Sequence, residues 1–316
     1  MAVVNTSVMT EKEIRMVIRG CVNLWKDTQK DGVGWVSVDE KNELHGERYL
    51  YPASFIGAGA MADLIATDLV AKKLIPKRAW SPIGDGRPVP GGALICHGRS
   101  ATSKKDLHSV HPFIKKGWVL THNGVVDKPT YQKGWFNLSG CDSEDLLNCF
   151  TEGNGFEDVE DMEGWAAFFM LTPRSRTLWA VRCATAPLYL SWWGTKERGT
   201  YVLASDPEHI RTIAKKIKAS ATVPVPVNPN IAIEFFGPGR DEVRVHDWKG
   251  LKERRAWSYT APATTSYVPP AGASTYCPGA ASPGLTTTNE YYTKAFGKPA
   301  NTGPVQTTFP TSEVGD

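Results

Sequence analysis

No apolar run in this sequence approaches the roughly 18 residues that a membrane span needs, and no charged-then-apolar signal segment opens it. No membrane partner is expected, and synthesis in the cytosol is. Charge of one sign is also scarce: 36 lysines and arginines stand against 33 acidic residues, a formal balance of +3. That is too little for a nucleic-acid groove, and the basic pairs Lys104-Lys105, Lys115-Lys116 and Lys215-Lys216 lie scattered, as on a solvated surface. The six cysteines contain no C-x-x-C pair and no regular spacing, which argues against a disulfide framework and for a reduced, cytoplasmic setting.

What is present is core material. Hydrophobic residues make up 41% and charged residues 22% of 316 positions, with eleven tryptophans, enough to bury one large domain and leave an appendage. A short apolar run, Ala2 to Val4, reads as a strand. Ile14, Val17, Ile18, Cys21 and Leu24 recur at helical spacing and predict an amphipathic helix over Glu11 to Trp25. Asp31-Gly32-Val33-Gly34 has the chemistry of a turn and Trp35 to Val38 that of a strand, and a second helix runs from Ala58 to Leu74, before Pro76. The Gly57-x-Gly59 that opens it lacks the strand and the further glycine of a phosphate cradle.

From Ala93 the pattern becomes short apolar runs punctuated by Gly, Pro, Asp and Lys: strands at Leu94 to His97, Trp118 to His122, Trp165 to Leu171, Leu178 to Arg182, Leu188 to Trp192, Tyr201 to Ala204, Ile231 to Phe236 and Val243 to His246. Two helices interrupt them, one over Ser143 to Phe150 with Asp142 as its cap, one to Ile213 opened by Asp206-Pro207. Strands in runs with a few helices indicate an α+β fold. The expected domain covers 1–257. The segment 258–316, rich in Thr, Ser, Pro, Gly and Ala, buries too little apolar surface to offset its ordering entropy and reads as an extended tail that orders against a partner, with tyrosines such as Tyr267 and Tyr276 as anchors.

Three polar clusters fall at strand ends: His97 to Thr102, His122-Asn123-Gly124 and Cys141 to Glu144. Each has a bland reading. His-Asn-Gly suits a hairpin turn, Asp142 a helix cap, and Arg99 an ordinary surface cation. A metal cluster of His97, His108, His111 and His122 lacks a spaced acidic ligand, and Gly98-Arg99-Ser100-Ala101 is not a serine-hydrolase elbow. Neither a metal nor a cofactor is expected.

Taken in order, Asp31-Gly32-Val33-Gly34, His97 to Thr102, His111-Pro112, His122 to Gly124, Asp142 to Glu144 and Ala204-Ser205-Asp206 resemble the motif series of the class II glutamine amidotransferases, from Met1 to about His246. The resemblance implies the four-layer αββα sandwich of N-terminal-nucleophile hydrolases, with two antiparallel sheets face to face. It also implies a glutamine site. Arg99 would clamp the substrate carboxylate and Asp142 its ammonium, with Thr102 and His122 also binding substrate, and Asn123 with the Gly124 N–H would form an oxyanion hole. In that family the nucleophile is a cysteine exposed by removal of methionine, its own amine serving as base. Here the matching position is Ala2, and a methyl group cannot attack an amide. Cleavage before Cys21, or exposure of Thr6 or Ser7, would discard or shorten the first strand.

Two functions follow as expectations. One is a glutamine amidotransferase-like protein, acting on glutamine, whose nucleophile slot holds alanine. The alternative is a catalytically dead structural or interaction protein on the same fold, an oligomer or assembly component such as a virion subunit, with the tail lying along its neighbours. No acceptor domain for ammonia is expected within the chain.

Overall fold

The computed structural model describes residues 1–6, 9–25, 29, 31–38, 42–50, 58–71, 92–100, 106–127, 135–194, 199–236 and 242–252. The proposed tail and Thr102 lie outside them. The first strand, β1 (Ala2–Val3), is short but central. It lies between β4 (Ala93–Arg99) and β10 (Gly199–Ala204), with Ala2 opposite Ile95 on one side and Leu203 on the other. β2 (Gly32–Val38) and β3 (Leu44–Leu50) extend the sheet past β4, while β9 (Tyr189–Gly194) and β11 (Val225–Pro226) extend it past β10. The second sheet runs in the order β13 (Glu242–Asp247), β12 (Ile231–Phe236), β8 (Leu178–Cys183), β7 (Glu163–Leu171), β6 (Trp118–Asp127) and β5 (Phe113–Lys115). Every pairing of these strands is antiparallel.

Strand alternation sorts the core into three layers. Val3, Trp35, Leu94, Cys96 and Val202 face outward from the first sheet into a core shared with α1 (Glu11–Trp25), α2 (Ala58–Ala71) and α5 (Pro207–Ile217). Leu120, Phe168, Val181 and Ala232 face outward from the second sheet towards α3 (Asp142–Thr151) and α4 (Phe156–Glu160). The alternate set, including Val36, Ile95, Leu203, Phe169, Ala180 and Phe235, is buried between the sheets, where Tyr201 of β10 meets Phe235 of β12 with ring centroids 5.3 Å apart. The result is the expected four-layer αββα sandwich.

The helices form for local reasons. Thr10 and Glu13 make a reciprocal capping box before α1: the Glu13 N–H donates to Thr10 Oγ1 at 3.2 Å and the Thr10 N–H to Glu13 Oε2 at 2.7 Å. Asp206 caps α5 through the Glu208 N–H at 2.8 Å, with Pro207 at the first helical position, and the helix runs to Ile217, a turn beyond the expected Ile213. Among the described residues no helix is long and apolar enough to cross a membrane. The five cysteines among them are free and buried.

Three local expectations are corrected. His122-Asn123-Gly124 is not a hairpin turn but the middle of β6, paired residue by residue with Phe168, Ala167 and Ala166 of β7. Asp142 does not cap α3: Cys141 holds the cap position, and the Asp142 carboxylate accepts instead from the Val126 N–H at 3.1 Å, tying the helix start to the strand. Gly32 and Gly34 are strand residues of β2, and a Cβ on Gly34 would overlap the His111 carbonyl oxygen, so the glycine admits the loop before β5. Strand β3 was not expected, because Leu44 to Leu50 is half-polar and its residues are exposed or only half-buried at the sheet edge.

Candidate functional site

A cavity of about 290 Å³ opens at one end of the sandwich. Arg99 comes to it from the last position of β4, Asn123 and Gly124 from mid-β6, and Asp142 from the first turn of α3. His122 and Met1 also border it. Arg99 is only 5% exposed, so its cationic field acts with little screening by water. Gly124 adopts φ +141°, and a side chain there would overlap the Trp165 carbonyl of β7, so glycine is needed for β6 to lie against β7 at this point.

Met1 and Ala2 divide their roles by strand alternation. Ala2 is fully buried, on the face towards the second sheet that the cavity residues His97 and Arg99 of β4 also take. Met1 borders the cavity, its amino group donates to the Cys96 carbonyl at 2.8 Å, and its thioether sulfur turns towards α1, 3.5 Å from Cys21 Sγ. The nearby thiols are not primed. Burial pushes Cys21 up to about 11, pushes Cys96 higher still, and raises Cys141 as well, so all three stay protonated near neutrality.

Sequence reading did not anticipate the histidine network behind this wall. His97 Nε2 lies 3.1 Å from the His122 carbonyl oxygen, and the Nδ1 atoms of His97 and His111 are 3.2 Å apart. Ser143 Oγ lies 2.7 Å from His111 Nε2 and 3.0 Å from His122 Nδ1. Desolvation depresses all three rings: His97 falls to about 3, His111 lies well below its ordinary value, and His122 is lowered although the Asp142 carboxylate opposes the shift. All of the ring nitrogens except His122 Nε2 are turned on one another, on Ser143 or on a carbonyl. His108 sits apart, in the 3₁₀ turn Leu107–Ser109. The one available signal for Ser143 was its place inside the Asp-Ser-Glu motif.

Against known proteins, no family model matches the sequence, and no curated protein matches it either. Among solved structures the chain is similar to one described as the allosteric regulatory enzyme of purine biosynthesis. The TM-score is 0.51 and the identity 18%, over 78% of this chain and 48% of that one. The likeness is one of fold, two antiparallel sheets layered with helices as in N-terminal-nucleophile hydrolases. Glutamine phosphoribosylpyrophosphate amidotransferase from B. subtilis, complexed with ADP and GMP, aligns at a TM-score of 0.47 and 16% identity, over 73% of this chain and 46% of that one. A glutamine aminotransferase class-II domain protein from Silicibacter pomeroyi aligns at 0.39 and 17%, over 69% and 91%. The chain spans about half the length of the first two.

Proposed function

We propose that the amidotransferase-like fold carries a glutamine-binding cavity that, with the residues as they stand, binds its ligand without hydrolysing it. The observation that supports this is convergence: a buried guanidinium, a carboxylate and an amide beside a glycine, drawn from β4, α3 and β6, border one cavity. A free α-amino acid with a side-chain carboxamide matches these three features. Arg99 offers two parallel donors to its carboxylate, Asp142 accepts from its ammonium, and the Asn123 amide with the Gly124 N–H meets the carboxamide oxygen. Thr102, outside the described residues, belongs to the same proposed site. The missing step is attack. Position 1 turns a thioether towards α1, position 2 offers only a methyl group, and the neighbouring thiols are protonated. Loss of a nucleophile costs on the order of a millionfold in turnover. Use of the 258–316 segment as a partner-binding arm, the assembly role and a cytoplasmic setting remain part of the same reading.

Titration calorimetry with L-glutamine tests it. Saturable binding is expected, weakened at least about a hundredfold in Arg99→Ala by loss of a charge-assisted bidentate contact, with no glutamate released. Absence of binding to the folded protein at millimolar ligand would overturn the proposal. A second arm restores the nucleophile. Ala2→Cys with Met1 removed, so that the cysteine bears the free amine, should release glutamate. Met1→Cys, made behind a cleavable leader, should be far slower, because position 1 turns its side chain towards α1.

A further inference from the structure

The histidine network has a direction, and it can be read from its one unambiguous acceptor. A carbonyl oxygen only accepts, so His97 Nε2, 3.1 Å from the His122 carbonyl, carries its hydrogen. Neutral His97 then has a bare Nδ1, and His111 Nδ1, 3.2 Å away, must be the donor to it. His111 Nε2 is therefore bare and accepts from the Ser143 hydroxyl at 2.7 Å. With its hydrogen spent, Ser143 Oγ accepts from His122 Nδ1–H at 3.0 Å. Every donor points the same way round a ring that leaves the His122 imidazole and returns to the His122 carbonyl, an arrangement in which successive bonds polarise one another. A proton added to His97 would set N–H against N–H across the 3.2 Å contact, and one added to His111 Nε2 would meet the Ser143 hydroxyl hydrogen at 2.7 Å; either breaks the ring.

One lone pair is left over. His122 Nε2 is buried, in a residue 4% exposed, and has no hydrogen-bond partner among the described residues. It lies at Gly124, where an added Cβ would come within 3.0 Å of it. His122 borders the cavity together with Asp142, and its ring is joined through Ser143 to the residue next to that carboxylate. Asp142 in turn has spent Oδ2 on the Val126 N–H and meets the Cys141 thiol through Oδ1 at 3.4 Å, which leaves acceptor capacity on both oxygens. We infer that the His97–His111–Ser143–His122 ring is a positioning device that holds His122 Nε2 as an obligate acceptor, so that His122 and Asp142 together seat a primary ammonium group of the ligand. The inference rests on the amino-acid reading of the cavity for its ligand class, but the polarity of the ring does not. A lone pair and a carboxylate bordering one cavity can share the N–H donors of one cation and discriminate against an ammonium without hydrogens, such as a quaternary one, which Asp142 alone would still attract.

The test uses the full chain with ¹⁵N-labelled histidine, since two-bond ¹H–¹⁵N correlations report which ring nitrogen holds the hydrogen. At pH 7, His97 is expected as the Nε2–H form and His111 and His122 as Nδ1–H forms. An Nε2–H form of His122, or an imidazolium at any of the three, overturns the inference. Methylammonium should then move the His122 Nε2 resonance while tetramethylammonium leaves it in place; no shift, or equal shifts, also overturns it. L-Glutamine is titrated alongside, and if it fails while methylammonium succeeds, the glutamine reading falls and the ammonium seat stands. Ser143→Ala cuts the ring and should mix the His122 tautomers and weaken methylammonium binding about tenfold, the scale of one hydrogen bond. Ser143→Thr, which keeps the hydroxyl, should restore both, and a Thr variant as impaired as Ala would count against the ring.

Discussion

Asn123 and Gly124 are chain neighbours with opposite kinds of importance. Asn123 is exposed on β6, so its side chain can serve a ligand without serving the fold. Gly124 holds a positive φ against the Trp165 carbonyl, and a methyl group there meets backbone that cannot give way. Gly124→Ala is therefore expected to lower stability by about 2 kcal/mol, within the range for a strained backbone position, and to abolish glutamine binding. Asn123→Ala should weaken binding while changing stability by less than about 0.5 kcal/mol. Urea unfolding midpoints set beside calorimetry separate the two effects. The identity of both residues could be read from the His-Asn-Gly motif. Their conformation could not, because the same three residues suit a tight turn whenever no neighbouring strand competes for their hydrogen bonds, and β7 supplies that competition.

Among the elements, α1 and α5 meet where Gly20 faces Ile213. A Cβ on Gly20 would lie 2.6 Å from Ile213 Cγ1, so the helices are spaced for the absence of a side chain. Gly20→Leu should cost about 2 kcal/mol by overpacking, and Ile213→Ala alone should cost about 3 kcal/mol by opening a cavity. The pair combined should be less damaging than the sum, because the leucine fills the space the isoleucine vacates. A double-mutant cycle by chemical denaturation measures that coupling, and strict additivity would show that the helices do not interlock there. Helix α1 was legible in advance because its apolar spacing and its Thr10–Glu13 box are both local. The place of Asp142 was not: a helix-start aspartate is ordinarily a cap, and only the approach of β6, with an N–H free at Val126, turns its carboxylate away from its own helix.

For the molecule as a whole, three rings kept neutral link stability to acidity. An unfolded histidine takes up a proton near 6.5, whereas His97 in the fold resists until about 3, and His111 and His122 are depressed as well. Between those limits the unfolded chain binds more protons, so stability is full above pH 6.5 and falls as pH drops through that value. At pH 5, His97 alone accounts for a loss of at most about 2 kcal/mol, with the other two rings adding to it. Asp106, Glu144 and Glu152 are held below ordinary carboxylate values and do not titrate in this window. Urea midpoints at pH 7.5 and pH 5 should show this decline, and His111→Asn should flatten it; a pH-independent midpoint would mean that the rings are not held neutral.

Composition, periodicity and motif order, all local properties, determined by themselves that this protein is an α+β sandwich with a strand at the start of the chain, and named Arg99, Asn123, Gly124, His122 and Asp142 as the residues to watch. Convergence was decided by the tertiary structure, because the cavity is bordered by β4, β6 and α3, whose meeting depends on sheet order and on the stacking of two sheets. So was the choice between neighbours. Positions 1 and 2 take opposite faces of β1, one towards α1 and the other towards the second sheet, and a strand of two residues carries too little pattern to reveal its own faces. The histidine ring belongs to the same class: its bonds join residues 14 to 32 positions apart, and their direction exists only once a carbonyl from one sheet meets an imidazole from the other.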